Sequence, residues 1–412
     1  MMKQSIISLQ DQPSELEKLY RKNKVAFRQE FTANYDQIKE QPWAEFWQER
    51  LSYDAESITW GSLKEWRFVV IAALIAGIYA KFPAIFDLKE DYFYPRNIGF
   101  LVFPFLTAYF AWKNQLSEKI IATLAVILGI SLLYINVLPA NETSDTWVLV
   151  CMHLPILLWA VLGYAFVGKS SISGRLAFLR CNGDTVIMGG LLLLGGGILT
   201  GVTLGLFSLI GLNIGEFYMN YIAVFGLAAA PLVATQLTQS NPQLINKVSP
   251  VIARIFSPLV LVMLVIYLGA IVFSGKDPYN DREFLLLFNV LLIGVMGLIF
   301  FSVAETSAGE KSRSAIWILT LLSWVTVLVN VVALSAIAFR ISTWGFTPNR
   351  TAVLGINILM LIHLLRVSKT LIQVIRGKEP ISKIGKSIVE YLPIYVIWVI
   401  LVVFTFPLIF GF

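Results

Sequence analysis

The dominant pattern along the chain is a succession of apolar runs, most of them about 18 or more residues long, divided by short polar stretches. A run of that length crosses a hydrocarbon core about 30 Å thick as an α-helix. The pattern predicts eleven spans, over 68–86, 98–112, 119–138, 147–167, 185–210, 217–238, 256–274, 284–303, 315–339, 351–367 and 391–411. The second is short for a full crossing. The fifth is long enough to tilt strongly or to break near its glycines. The expected fold class is all-α: a polytopic transmembrane helix bundle over 67–412, preceded by a short helical segment over 1–66. No internal repeat is visible that would argue for an inverted-repeat plan.

Ahead of the first span the pattern changes. In PSELEKL, Ser14 offers an N-cap with Glu17 three residues on, the arrangement of a capping box. Leu16, Tyr20, Phe27, Phe31, Tyr35 and Ile38 follow at near-helical spacing and predict one amphipathic helix. After Pro42, the residues Trp43, Phe46, Trp47 and Leu51 share a second helical face. An aromatic face beside a span suits a helix lying among lipid headgroups. It equally suits packing on the protein's own cytoplasmic loops, and docking of a cytoplasmic protein partner is a third reading. The segment lacks the apolar core of a cleavable signal peptide, so insertion is expected to rely on the first span.

Composition agrees with the bundle: 57% of residues are hydrophobic and 14% charged, against roughly a quarter charged in soluble domains. The bilayer itself is the first expected partner. Lysine and arginine are unevenly divided between the connectors, 15 on one set of alternate connectors and 6 on the other, and ten more precede the first span. By the positive-inside rule the N-terminus is expected to be cytoplasmic and Phe412 outside. The net charge of +6 then reports orientation rather than nucleic-acid binding. Cys151 falls in a span and Cys181 in a connector, too few for a disulfide framework or a zinc site of their own.

Chemistry is sparse along the spans. Gly197, Gly201 and Gly205 stand four apart and form a stripe that predicts close helix packing. No carboxylate falls convincingly mid-span; Asp184, Glu216, Glu305 and Glu390 lie at span edges, which counts against a carrier built on buried carboxylates. His153 and His363 lie on different spans without an evident third metal ligand, and predict interhelical hydrogen bonds. Asn136, Asn289, Asn330 and Asn357 invite the same reading. Pro155, Pro231 and Pro407 should kink their spans and free carbonyls that a neighbour or cavity must satisfy. No metalloprotease, serine-hydrolase or nucleotide-binding signature is present, so nothing points to catalysis or to a cofactor.

Between the ninth and tenth spans lies FRISTWGFTPNR, on the outer face by the charge count. Gly345 permits a turn, Thr347 is an N-cap candidate, Pro348 suits the first helical position, and Trp344 suits the membrane interface. Arg340 and Arg350 bracket the turn, while Arg96 and Asn97 precede the second span on the same face. Three outer arginines against the positive-inside trend suggest a site for an anionic lipid or an anionic small molecule. They could instead pair with the outer acids Asp87, Glu90, Asp91, Glu142, Asp145, Glu216, Asp277, Asp281 and Glu283. The connector resembles the Arg-x-x-x-Tyr-Gly-x-Thr-x-x-Arg signature of the bacterial DUF4153/DUF4173-type membrane proteins. Arg340, Gly345, Thr347 and Arg350 match, and Trp344 stands in place of the tyrosine, keeping a ring and losing a hydroxyl. The resemblance implies a multispan protein with a cytoplasmic N-terminal segment, and it implies no particular reaction.

Overall fold

The computed structural model describes residues 6–9, 12–22, 24–52, 60–139, 141, 143–168, 171–273, 279, 282–306 and 313–411, and among these residues all regular structure is helical. Glu142, Lys169, Lys276, Asp277, Asp281 and Lys311, which entered the connector counts above, lie outside the described residues. The chain divides into two compact units, Met1–Thr59 and Trp60–Phe412.

In the first unit the described helices are Pro13–Lys22, Lys24–Ala33, Tyr35–Ile38 and Pro42–Ser52, and a turn at Asn34 interrupts the expected single helix. The turns at Asn34 and before Pro42 let the apolar positions fold inward. Leu16, Phe27, Phe31, Ile38, Ala44, Trp47 and Leu51 bury one another as a small core of their own. Of the expected aromatic face, Trp47 and Leu51 pack within the unit and Trp43 does so in part, while Phe46 stays 62% exposed. Ser14 lies inside the first helix, and Glu17 accepts hydrogen bonds from Arg21 and Arg50 at 2.8 and 3.0 Å instead of closing a capping box. Arg21's hydrogen bond, opposed by burial and aided by the Arg50 charge, holds the Glu17 carboxyl below the ordinary carboxylate range. Arg50 in turn lies over the Tyr20 and Trp47 rings, at 4.9 and 4.8 Å.

Nine helices among the described residues of the second unit are long and apolar enough to cross a bilayer: Glu118–Val137, Asp145–Val167, Ile172–Leu209, Gly215–Ser240, Pro250–Gly269, Phe288–Glu305, Arg313–Trp344, Pro348–Ile375 and Ser382–Phe410. They correspond to the third through eleventh expected spans. The first expected span is the helix Leu63–Ala80, whose opening turn carries Lys64, Glu65 and Arg67. A capping box starts it: the Ser62 hydroxyl accepts from the Glu65 amide and the Glu65 carboxylate accepts from the Ser62 amide. The second is a 3₁₀ turn, Ile98–Leu101, followed by Phe103–Lys113. That helix has 11 residues and is only about 16 Å long, too short to cross unaided.

Ile172–Leu209 is one continuous helix of 38 residues, about 57 Å long. Arg180, Cys181 and Asp184 consequently sit on this helix and not in a connector. Charge ended the apolar run, but no proline or turn residue ended the helix, and Ser171 caps its start by accepting from the Gly174 amide. Proline behaves as expected where a neighbour is at hand. Pro407 cannot donate to the carbonyl of Val403, four residues back, and the Tyr134 hydroxyl donates to that carbonyl at 2.8 Å from another helix. The backbone over Leu401–Thr405 widens into a π turn at this point.

Two apolar cores hold most of this unit. Phe288, Leu292, Ile299, Leu322, Val329, Val367 and Leu371 knit the last long helices together. Val69, Leu106, Phe110, Leu124, Leu162, Phe178 and Leu232 do the same near the start. Among the described residues nothing packs closely on the Gly197, Gly201 and Gly205 stripe, since a Cβ on any of the three would meet nothing within 4 Å. Close approach happens at other glycines. At Gly183 and Gly355 a Cβ would stand 2.1 Å from the Phe301 and Trp398 rings respectively.

Candidate functional site

The connector between the ninth and tenth expected spans is built as its residues suggest. The helix Arg313–Trp344 runs through Arg340 and stops at Gly345, which adopts φ +75°, a left-handed conformation that glycine takes without steric cost. Thr347 then caps Pro348–Ile375, its hydroxyl accepting from the Arg350 amide at 3.3 Å, with Pro348 in the first turn. The two arginines turn inward onto this hinge. Arg350 Nη1 donates to the carbonyls of Trp344 and Gly345, both at 2.9 Å, and so ties down the free end of the preceding helix. Arg340 Nε donates to the Tyr279 carbonyl at 2.9 Å. Both guanidinium groups lie against the Trp344 ring, 5.5 and 5.7 Å from its centroid. Trp344 is 49% exposed and Phe346 69% exposed, so the connector presents rings and cations together. Arg350 Nε and Nη2 make no hydrogen bond among the described residues.

Arg96 and Asn97 form a separate cluster, enclosed rather than open. Arg96 is 2% exposed; its Nη2 donates to the Leu138 carbonyl at 3.1 Å, and its plane lies 4.0 Å from the Tyr92 ring centre and 5.5 Å from that of Trp147. Asn97 exchanges amide hydrogen bonds with Asn136, both at 3.0 Å, and accepts from the Tyr79 hydroxyl at 2.7 Å. These partners belong to the helices Glu90–Asn97, Leu63–Ala80, Glu118–Val137 with its C-cap Leu138, and Asp145–Val167, none of them part of the connector. The structure thus brings Arg340, Trp344, Thr347 and Arg350 together and leaves Arg96 and Asn97 in a different place.

The remaining amides pair across helices. Asn357 donates to Asn289 at 2.7 Å and accepts from Asn330 at 3.5 Å, joining three spans in the hydrocarbon. His363 lies 3.2 Å from the Tyr395 hydroxyl of another helix, as expected, whereas His153 turns to the Leu149 carbonyl of its own helix. Among the described residues no group of three His, Cys, Asp or Glu side chains is placed to hold a metal ion.

On the opposite side of the bundle lie contacts that the apolar pattern alone did not reveal. Glu305, with its side chain 2% exposed, accepts from Arg180 at 2.6 Å across two helices. Lys113 reaches Glu65 at 3.3 Å and the Tyr109 hydroxyl at 3.2 Å, and Tyr109 donates to Gln236 at 2.6 Å. The Ser-x-x-Glu string at Ser62 was the legible signal for one end of this network. The partners Lys113 and Gln236, 48 and 171 residues beyond Glu65, are joined only by the fold.

No protein-family model matches the chain, and searches of curated proteins and of solved structures return no match either. The class defined here is accordingly that of a polytopic helical membrane protein.

Proposed function

We propose that this is a multispan bacterial inner-membrane protein that binds, and in doing so retains or moves, a lipid or small molecule carrying an anionic group at its outer face. The reading rests on the connector between Arg313–Trp344 and Pro348–Ile375. There Arg350 keeps two guanidinium nitrogens outside any hydrogen bond among the described residues, beside the half-exposed Trp344 ring and the exposed Phe346 ring. Exposed aromatic rings favour the interface between headgroups and acyl chains, and a guanidinium matches phosphate or carboxylate in geometry and charge. The Arg-x-x-x-Trp-Gly-x-Thr-x-x-Arg string also supports kinship with the DUF4153/DUF4173-type membrane proteins. The double variant Arg340→Ala/Arg350→Ala, purified in mild detergent, is expected to lose co-purifying anionic lipid by several-fold relative to the parent, as measured by mass spectrometry. Unchanged lipid content in a folded double variant would sink the proposal.

A second reading draws on the compact N-terminal unit with its own buried core. In it the protein is a membrane scaffold or sensor that engages a cytoplasmic partner. Removing residues 1–59 separates the two readings. Lipid retention survives the truncation if the connector does the work, and partner capture disappears if the N-terminal unit does.

A further inference from the structure

Arg96 has a chemical problem that its visible neighbours do not solve. Arginine stays protonated throughout the physiological range, so a positive charge is held at a position 2% exposed. Its Nε and Nη1 are buried and have no hydrogen-bond partner, and the adjacent Trp147 Nε1 is in the same condition. The Leu138 carbonyl satisfies Nη2, but a carbonyl carries no countercharge. The Tyr92 and Trp147 rings attract the guanidinium through their faces, which offsets only part of the cost of isolating a charge from water. No aspartate or glutamate forms an ion pair with Arg96 among the described residues.

We propose that the Arg96–Trp147 corner is a binding site for a small monovalent anion of halide size. Three buried donor nitrogens without a hydrogen-bond partner, and a positive charge with no ion-pair partner among the described residues, define a receptor for an acceptor-only ligand bearing one negative charge. A water molecule would meet the hydrogen bonds and leave the charge standing. The burial of Arg96 and Trp147, 2% and 5% exposed behind the half-buried Tyr92 and Leu138, selects a small ion over a lipid headgroup. An ion held here ties Glu90–Asn97 to the start of Asp145–Val167 and to the end of Glu118–Val137, so occupancy is linked to the stability of this corner. The site is separate from the connector and stands independently of the lipid-binding proposal.

The test is thermal unfolding of the purified full-length protein in detergent, titrated with sodium chloride against sodium gluconate at constant ionic strength. Expected is a midpoint that rises saturably with chloride, with bromide able to replace it. Arg96→Gln abolishes the response, Trp147→Phe raises the half-saturating concentration about tenfold by removing one hydrogen bond to a charged group, and Arg340→Ala/Arg350→Ala leaves it intact. Should Arg96→Gln fail to fold, the Trp147→Phe titration decides, and an unshifted half-saturation overturns the site. Glu142, four residues beyond Leu138 in the chain, is the competing countercharge. If it neutralises Arg96, the parent shows no chloride response and Glu142→Gln acquires one, which also overturns the proposal.

Discussion

A methyl group placed on Gly355 would come within 2.1 Å of the Trp398 ring, so the indole packs directly on the backbone of Pro348–Ile375. Overpacking of this kind costs about 1–3 kcal/mol. Gly355→Ala is therefore expected to lower the unfolding midpoint in detergent measurably, while Gly201→Ala, which meets nothing within 4 Å, stays within about 0.5 kcal/mol of the parent. Equal effects at the two positions would contradict this account. The contrast shows what spacing can and cannot tell. Three glycines four apart announce a smooth helix face, but whether a partner lies on that face depends on a residue elsewhere in the chain. Asn136 and Asn357 were better marked, because an amide in hydrocarbon must find a partner wherever one exists, and each did.

At the scale of elements, the pairing of Ile172–Leu209 with Arg282–Thr306 illustrates how two helices are locked. Gly183 admits the Phe301 ring, and one turn away Arg180 meets the buried Glu305 carboxylate at 2.6 Å. Removing one partner of a buried pair leaves the other charge uncompensated, at a cost of about 3–5 kcal/mol. Arg180→Ala is expected to destabilise the protein by that order, and Arg180→Ala/Glu305→Gln to recover a substantial part of it in a double-mutant cycle of thermal unfolding. A strictly additive cycle would show that the two side chains do not act together. This lock was hidden in the sequence because its residues bordered apolar runs and read as connector or edge positions. A helix continues past the membrane edge for as long as its backbone bonds are made, so charge marks where hydrocarbon ends and not where the helix ends.

For the whole molecule, the division at Thr59 and Trp60 separates two cores of different kinds. The N-terminal unit buries aromatic residues against one another and joins its helices through Arg50 and Glu17 at 3.0 Å. The Trp60–Phe412 unit holds nine described helices apolar enough to face lipid. Truncation to Trp60 is accordingly expected to leave a membrane-inserted, lipid-retaining protein with an unfolding midpoint close to the parent's. Aggregation of the truncated chain in detergent would show that the two units need each other.

The sequence by itself determined the helical class, the approximate positions of the long spans, and the turn at Gly345 with its Thr347–Pro348 helix start. These follow from local quantities, namely the length of an apolar run, the conformational freedom of glycine and the geometry of a cap. Tertiary structure alone decided that Arg340 and Arg350 close on Trp344 and on backbone carbonyls, that Arg96 is enclosed apart from them, and that Ile172–Leu209 is unbroken. It also decided that the N-terminal aromatic face turns on itself. In each case the outcome depends on groups distant in the chain that compete for the same charge, carbonyl or ring, and that competition is settled only once the helices have packed.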